Sequence, residues 1–188
     1  MSDVTRILES IEHGDRAAAD ELLPLVYEEL RKLAASRMAN EAPNQTLQPT
    51  ALVHEVWLRL VGNDNPQFAN RAHFFSAAAE AMRRILIDNA RRKQALRHGG
   101  GQQRVDVAGI LEVAAPHDDD ELQAVNEALD KLAAQNKVQA ELVKLRYFVG
   151  MTLEEAAAIL DISARTADNY WAYARAWLYK EIKLKRDL

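Results

Sequence analysis

Apolar residues recur along most of this chain at steps of three and four, the pattern of helices with one buried face, and strict alternation never persists over a useful length. The pattern predicts an all-α protein. Val4, Ile7, Leu8 and Ile11 form one stripe of a first short helix, which stops at His13-Gly14-Asp15. A longer helix follows through Leu22, Leu23, Val26, Tyr27, Leu30, Leu33 and Ala34 and ends before Pro43. Pro49 and Thr50 open a third over Ala51 to Val61, closed by Gly62 and the turn-forming run Asn63-Asp64-Asn65-Pro66. Asn70 is placed to cap a fourth, very long helix reaching about Arg97.

Three glycines, Gly99-Gly100-Gly101, end that helix, and from there to Pro116 the periodicity is weak. Such a stretch reads as a flexible linker. The chain therefore divides into a small helical domain over residues 1–98, a linker over 99–117 and a second small helical domain over 118–188. In the second, Asp118 or Asp119 caps a helix through Leu122, Val125, Leu129 and Leu132, and another runs from about Asn136 to Val149 before Gly150. Thr152 with Glu155 forms a capping box that starts a short helix at Leu153. Leu160-Asp161-Ile162 ends it, and Ser163 caps a last helix from Ala164 to about Lys183. With small Ala156 and Ala157 where the two must cross, this is the sequence form of a helix-turn-helix. Ala167, Trp171, Ala174 and Leu178 share the inward stripe, which leaves Arg165, Asp168, Asn169, Ala172 and Tyr173 facing out.

Composition narrows the class. Of 188 residues 48% are hydrophobic, with seven Gly and five Pro, enough apolar material for a packed core. There is no cysteine, hence no disulfide framework and no thiolate metal site, as fits a reducing cytoplasm. The start of the chain lacks the basic and apolar segments of a signal peptide, and no apolar run has membrane-spanning length, so a cytoplasmic protein without a membrane partner is expected. The net charge of −4 argues against nucleic acid until its distribution is considered. Arg83 to Arg104 holds Arg83, Arg84, Arg91, Arg92, Lys93, Arg97 and Arg104 against one acid, Asp88, whereas Val105 to Asp130 holds eight acids and no Lys or Arg. This asymmetry suggests separate surfaces with separate partners.

Enzyme chemistry finds no support. His54-Glu55 invites comparison with the zinc motif H-E-x-x-H, but position 58 is Leu, and His13, His73, His98 and His117 are scattered singles. No phosphate loop follows a strand and no nucleophile-base pair suggests itself, so no metal, cofactor or small-molecule substrate is expected. The basic block has two readings, a solvated helix face beside an acidic linker and a nucleic-acid surface. Arg83, Arg84, Arg91 and Arg92 are expected to form a basic stripe on the long helix, preceded by a cluster of Phe68, Asn70, Arg71, His73, Phe74 and Phe75. Basic grooves beside aromatic or pocketed surfaces hold unstacked bases, although at least one of Phe74 and Phe75 belongs in the core. Arg165 and Asn169 carry the side chains that pair bidentately with guanine and adenine.

Residues Leu145 to Ala157, reading LRYFVGMTLEEAA, with Ile162 to Ala167, reading ISARTA, resemble region 4 of bacterial RNA polymerase sigma factors of the extracytoplasmic-function (ECF) type. Ala51 to Leu60 and Arg83 to Arg92 are similar to two helices of region 2 in the same family. The resemblance implies an ECF-type sigma factor that binds polymerase core and directs promoter-specific initiation, with no catalytic activity of its own. It implies that Leu52, His54, Glu55 and Arg59 dock on the core. The minus-ten element would be met by Phe68, Asn70, Arg71, His73, Phe74, Arg83, Arg84, Asp88, Asn89, Arg91 and Arg92, and the minus-thirty-five element by Arg165, Thr166, Asp168, Asn169 and Tyr173. Its partners would be the clamp and flap regions of RNA polymerase core, promoter DNA and, in a regulated system, an anti-sigma factor. Asp168 stands where the family commonly has a basic residue, and Tyr170 and Trp171 are bulkier than usual. An acidic chain makes few phosphate contacts, so DNA binding is expected to depend on tethering to polymerase. The rival readings are a stand-alone helix-turn-helix regulator whose first half dimerises or senses, and a helical interaction protein with no DNA role.

Overall fold

The computed structural model describes residues 6–7, 10, 13, 16–39, 49–61, 68, 70–96 and 119–186. Among them are seven α-helices and one π-helical segment, and no strand. They are α1 (Arg16–Ala39), α2 (Pro49–Val61), α3 (Arg71–Leu96), α4 (Asp119–Gln135), α5 (Lys137–Val143), the π segment Lys144–Val149, α6 (Leu153–Ile159) and α7 (Ala164–Arg186). Of the expected first helix only Arg6, Ile7 and Ser10 are described; all three are helical, and Ile7 is buried. The rest of that helix, the turn around Asn63 and the linker over 99–117 lie outside the described residues.

Local signals set most helix ends. The amide of His73 donates to Asn70 Oδ1 at 2.9 Å, the cap expected for α3. Asn136 caps α5 in the same way, its Oδ1 accepting from Gln139 at 3.1 Å. α2 begins two residues before the expected Ala51, because Pro49 has no amide to leave unsatisfied and a φ already suited to a first helical position. The largest departure is at Lys144–Val149, where one α-helix was expected through Val149 and the chain instead widens into π geometry. An i→i+5 turn spreads successive side chains less around the axis, so Leu145, Tyr147, Phe148 and Val149 are all buried together. Gly150 then ends the segment at φ 88°, a left-handed position glycine takes without steric cost.

In α1, Leu22, Val26, Leu30 and Ala34 recur every four residues and are fully buried, while Pro24 sits on the exposed face. α3 is the central element. It packs on α2, on α4 and on the π segment, and α7 closes over α4 and α5. Leu22, Leu52, Phe74, Phe75 and Met82 from the first half and Leu129, Leu132, Phe148 and Leu178 from the second belong to one continuous core. Each such side chain contributes roughly 1.5–3 kcal/mol when fully buried. Helices on either side of the expected linker thus share a common interior.

Candidate nucleic-acid interface

The helix-turn-helix forms as its capping residues dictate. Thr152 Oγ1 accepts from the Glu155 amide at 3.2 Å while the Glu155 carboxylate accepts from the Thr152 amide at 2.7 Å, so the box closes in both directions. α6 ends in a tight reversal: the Ile162 amide donates to Ala157 O at 3.1 Å, and Asp161 takes φ 52°. Aspartate tolerates this left-handed conformation better than bulkier residues do. Ser163 Oγ then accepts from the Thr166 amide at 3.1 Å and starts α7. Ala156, Ala157, Ala167 and Ala174 are buried, and their small size lets α6 and α7 approach closely. Trp171 is partly buried and packs against the core, on the inward stripe where it was expected. Arg165, Asp168, Asn169, Ala172 and Tyr173 are exposed, and Thr166 is half-buried beside its cap.

Arg146, from the π segment, holds this unit together. Its guanidinium lies 4.7 Å from the centroid of the Trp171 ring and donates to Met151 O at 3.2 Å. Burial pulls the Arg146 pKa below its ordinary value, Glu154 raises it and Arg175 lowers it. The residue nonetheless stays charged, as arginine does in proteins. Nothing in the sequence singled out Arg146, since its role depends on the ring that α7 brings to it.

On α3 the expected basic stripe divides. Arg84, Arg91 and Arg92 are exposed, and Arg84 Nε donates to Glu80 at 3.0 Å. Arg83 does not join them. It is one residue, about 100°, around the helix from Arg84, and its side chain is 12% exposed. It donates to Asn126 Oδ1 at 2.8 Å, to Asn126 O at 3.3 Å and to Asp130. Asn89 and Asp88 are half-buried. Phe74 and Phe75 are both fully buried and Phe68 nearly so, stacked edge to face with centroids 5.3 Å apart. Phe74 and Phe68, expected against DNA, therefore lie in the core, where their large apolar area belongs. Arg71 is half-buried, pairs with Glu29 at 2.6 Å and covers the Phe75 ring at 4.9 Å, and His73 is exposed with its ring 5.9 Å from that of Phe68. Asn70 is exposed, its side chain used as the α3 cap.

On α2, His54 and Arg59 are exposed and Glu55 half-buried. Leu52 is fully buried, so the residue expected on the docking surface instead anchors α2 to the core. Arg59 bridges Glu55 at 3.0 Å and Asp88 of α3 at 3.8 Å, which joins the expected docking helix to the expected DNA-facing helix through one ion-pair chain. Leu58 is 55% exposed, a large apolar side chain on the His54 side of the helix that charge and motif reading passed over. It lies off the buried set Leu52, Val53 and Val56, a signal the heptad spacing carries.

Among the described residues no three His, Cys, Asp or Glu side chains gather as a metal site, and no described helix is long and apolar enough to cross a membrane. A search of curated proteins finds no match. The family model described as ECF sigma factor matches residues 1–184, spanning α2 and α3, the helix-turn-helix and everything between. With nearly the whole chain covered and its helix-turn-helix formed as the family requires, this protein belongs to the ECF sigma factor family and acts as a sigma factor in transcription initiation.

Proposed function

We propose that this chain docks on bacterial RNA polymerase core in the cytoplasm and directs it to a specific set of promoters, leaving all bond-making chemistry to the polymerase. The single observation that carries this reading is the exposed outer face of α7, where Arg165, Asp168, Asn169 and Tyr173 stand clear of the core on a helix fixed at its start by Ser163. That face is the reader of the minus-thirty-five element, within a unit over residues 118–188. The unit over residues 1–98 meets the minus-ten element through Arg84, Arg91 and Arg92, and the segment 99–117 joins the two. α2 meets the clamp through His54, Glu55, Arg59 and exposed Leu58, which gives a mixed charged and apolar patch. Glu55 and Arg59 pair with each other only at the surface, where such bridges are weak, so both can be redirected to charges on a partner.

The test is transcription in vitro with core polymerase on genomic fragments, comparing the natural chain with Arg165→Ala and Asn169→Ala. Each bidentate base contact is worth about 1–3 kcal/mol of discrimination, so promoter preference is expected to shift by roughly tenfold or more. Co-purification with core is expected to be unchanged. An unaltered promoter set at unaltered rates in both variants would remove α7 as the reader.

A further inference from the structure

Arg165, Asp168, Asn169 and Ala172 follow one another at steps of three, one and three, so they share one stripe of α7, and all four are exposed. Three of them suit a surface that meets DNA; the acid is the one that does not fit at first sight. An acid on a helix ordinarily serves the helix dipole, a neighbouring cation or a buried network. α7 opens at Ala164, which puts Asp168 past the first turn, where the dipole no longer favours a negative charge. Arg165 stands three residues earlier, yet among the described residues the Asp168 carboxylate has no ion-pair or hydrogen-bond partner. Other acids of the same unit are used within the fold: Glu155 closes the capping box of α6, and Glu181 of α7 pairs with Lys131 at 2.7 Å. Asp168 is left as a free carboxylate between two base-reading side chains.

We propose that Asp168 is a specificity-determining residue, which admits cytosine and turns away the other bases at one position of the upstream promoter element. The proposal rests on the reading of α7 as the reader of that element, and it names one of the bases read. An ionised carboxylate only accepts hydrogen bonds. In the major groove it meets phosphates at the rim and, on the base edges, acceptors at guanine O6 and N7 and at thymine O4, all of which repel it. Exocyclic amines are the exception. Adenine sets its N6 amine beside the N7 acceptor, a pair that suits the amide of Asn169, whereas cytosine presents its N4 amine with no acceptor on its own edge. Cytosine is therefore the base from which Asp168 accepts. Over any other base the carboxylate loses water without gaining a donor, so its selectivity comes as much from exclusion as from attraction. Arg165, one turn earlier on the stripe, makes the opposite demand, because its guanidinium donates to guanine O6 and N7.

The test is transcription in vitro by core polymerase carrying the full-length chain, on a promoter recovered from genomic fragments whose upstream element is randomised and whose transcripts carry a barcode. With the natural chain one position is expected to favour cytosine by roughly fivefold or more over every other base. Asp168→Ala is expected to flatten the preference at that position and at no other, lowering output from cytosine templates and raising it from the rest. Asp168→Asn is expected to move the preference there towards adenine, the base with which an amide pairs. Asp168 is exposed, so both variants are expected to fold, which circular dichroism checks. The crossover between templates separates base reading from other effects: removal of a repulsive charge alone would raise every template alike, and loss of stability would lower every template alike. Either uniform change, or a cytosine preference that is absent or survives both substitutions, would overturn the inference. A chain that neither co-purifies with core nor transcribes any template fails the function proposed above and brings this inference down with it, whereas one that transcribes without a cytosine preference tied to Asp168 fails this inference alone.

Discussion

Replacing Trp171 by leucine removes the ring on which Arg146 rests, and the cost follows from the geometry. The guanidinium is 4.7 Å from the ring centroid, and its Nε is buried without a partner, so the contact is partly desolvated. A cation–π contact in that setting is worth about 1–2 kcal/mol, and losing part of a half-buried indole adds about 1 kcal/mol of packing. For a chain of this size each kcal/mol lowers Tm by about 2–4 °C, so Trp171→Leu is expected to lower it by roughly 5–10 °C. Trp171→Phe keeps a weaker ring face and is expected to lose about half as much. The clean measurement is a double-mutant cycle with Arg146→Met, read by urea unfolding, because it isolates the pair from the area each side chain buries. Coupling of about 1 kcal/mol or more is expected. Coupling within about 0.3 kcal/mol of zero would mean that Arg146 and Trp171 merely lie near each other, and that Arg146 Nη1 on Met151 O is what ties the π segment to the turn before α6.

Two further outcomes follow from local chemistry. Asp161→Gly relieves the left-handed turn of the helix-turn-helix, at φ 52°, and is expected to stabilise the chain by up to about 1 kcal/mol in thermal unfolding, whereas Asp161→Val is expected to destabilise it. For Glu80, burial pushes the carboxyl up, but Lys144 and Arg83 as opposite charges, with hydrogen bonds from Lys144 and Arg84, together hold it below its ordinary 4.5. Its stabilising contribution is present above that value and is lost as pH falls through the lower, folded-state pKa. Lys144 also pairs with Glu141, and Arg83 with Asp130, so these acids share the cations that face Glu80. Glu80→Gln is therefore expected to flatten the decline of Tm below about pH 4.5, as followed by circular dichroism.

What the sequence made legible was mostly local. Asn70, Thr152 with Glu155, and Ser163 act on amides three residues away, so their effect survives any arrangement of the rest. The outward face of α7 was legible for the same reason, because a stripe with Ala167, Ala174 and Leu178 leaves only one place for Arg165 and Asn169. The π segment was not, since its wider turn follows from which neighbours bury Tyr147 to Val149, and periodicity within the segment does not contain that. Leu52 and Phe74 show a related limit. A residue inside a recognisable motif takes on the motif's role in a sequence reading, while the fold uses its apolar bulk to hold the element that carries the exposed groups. One legible clue was passed over: Ile85-Leu86-Ile87 places three apolar residues in succession on α3, and a helix with that much apolar circumference is covered on more than one side.

That clue changes the meaning of the charge pattern. A basic block ending near Arg104 and an acidic block ending at Asp130 suggest, as sequence, two surfaces with different partners. In the folded chain members of the two blocks meet, with Asp130 on Arg83 and Asp120 on Gln94. Placing opposite charges in adjacent segments of one chain gives them a high effective concentration for each other. It also lets salt and competing polyanions weaken their pairing, because the Asp130 side chain is largely exposed while Arg83 is not. The acidic balance that seemed to count against nucleic acid is, in part, used within the fold, where Asp130 of α4 pairs with Arg83 of α3.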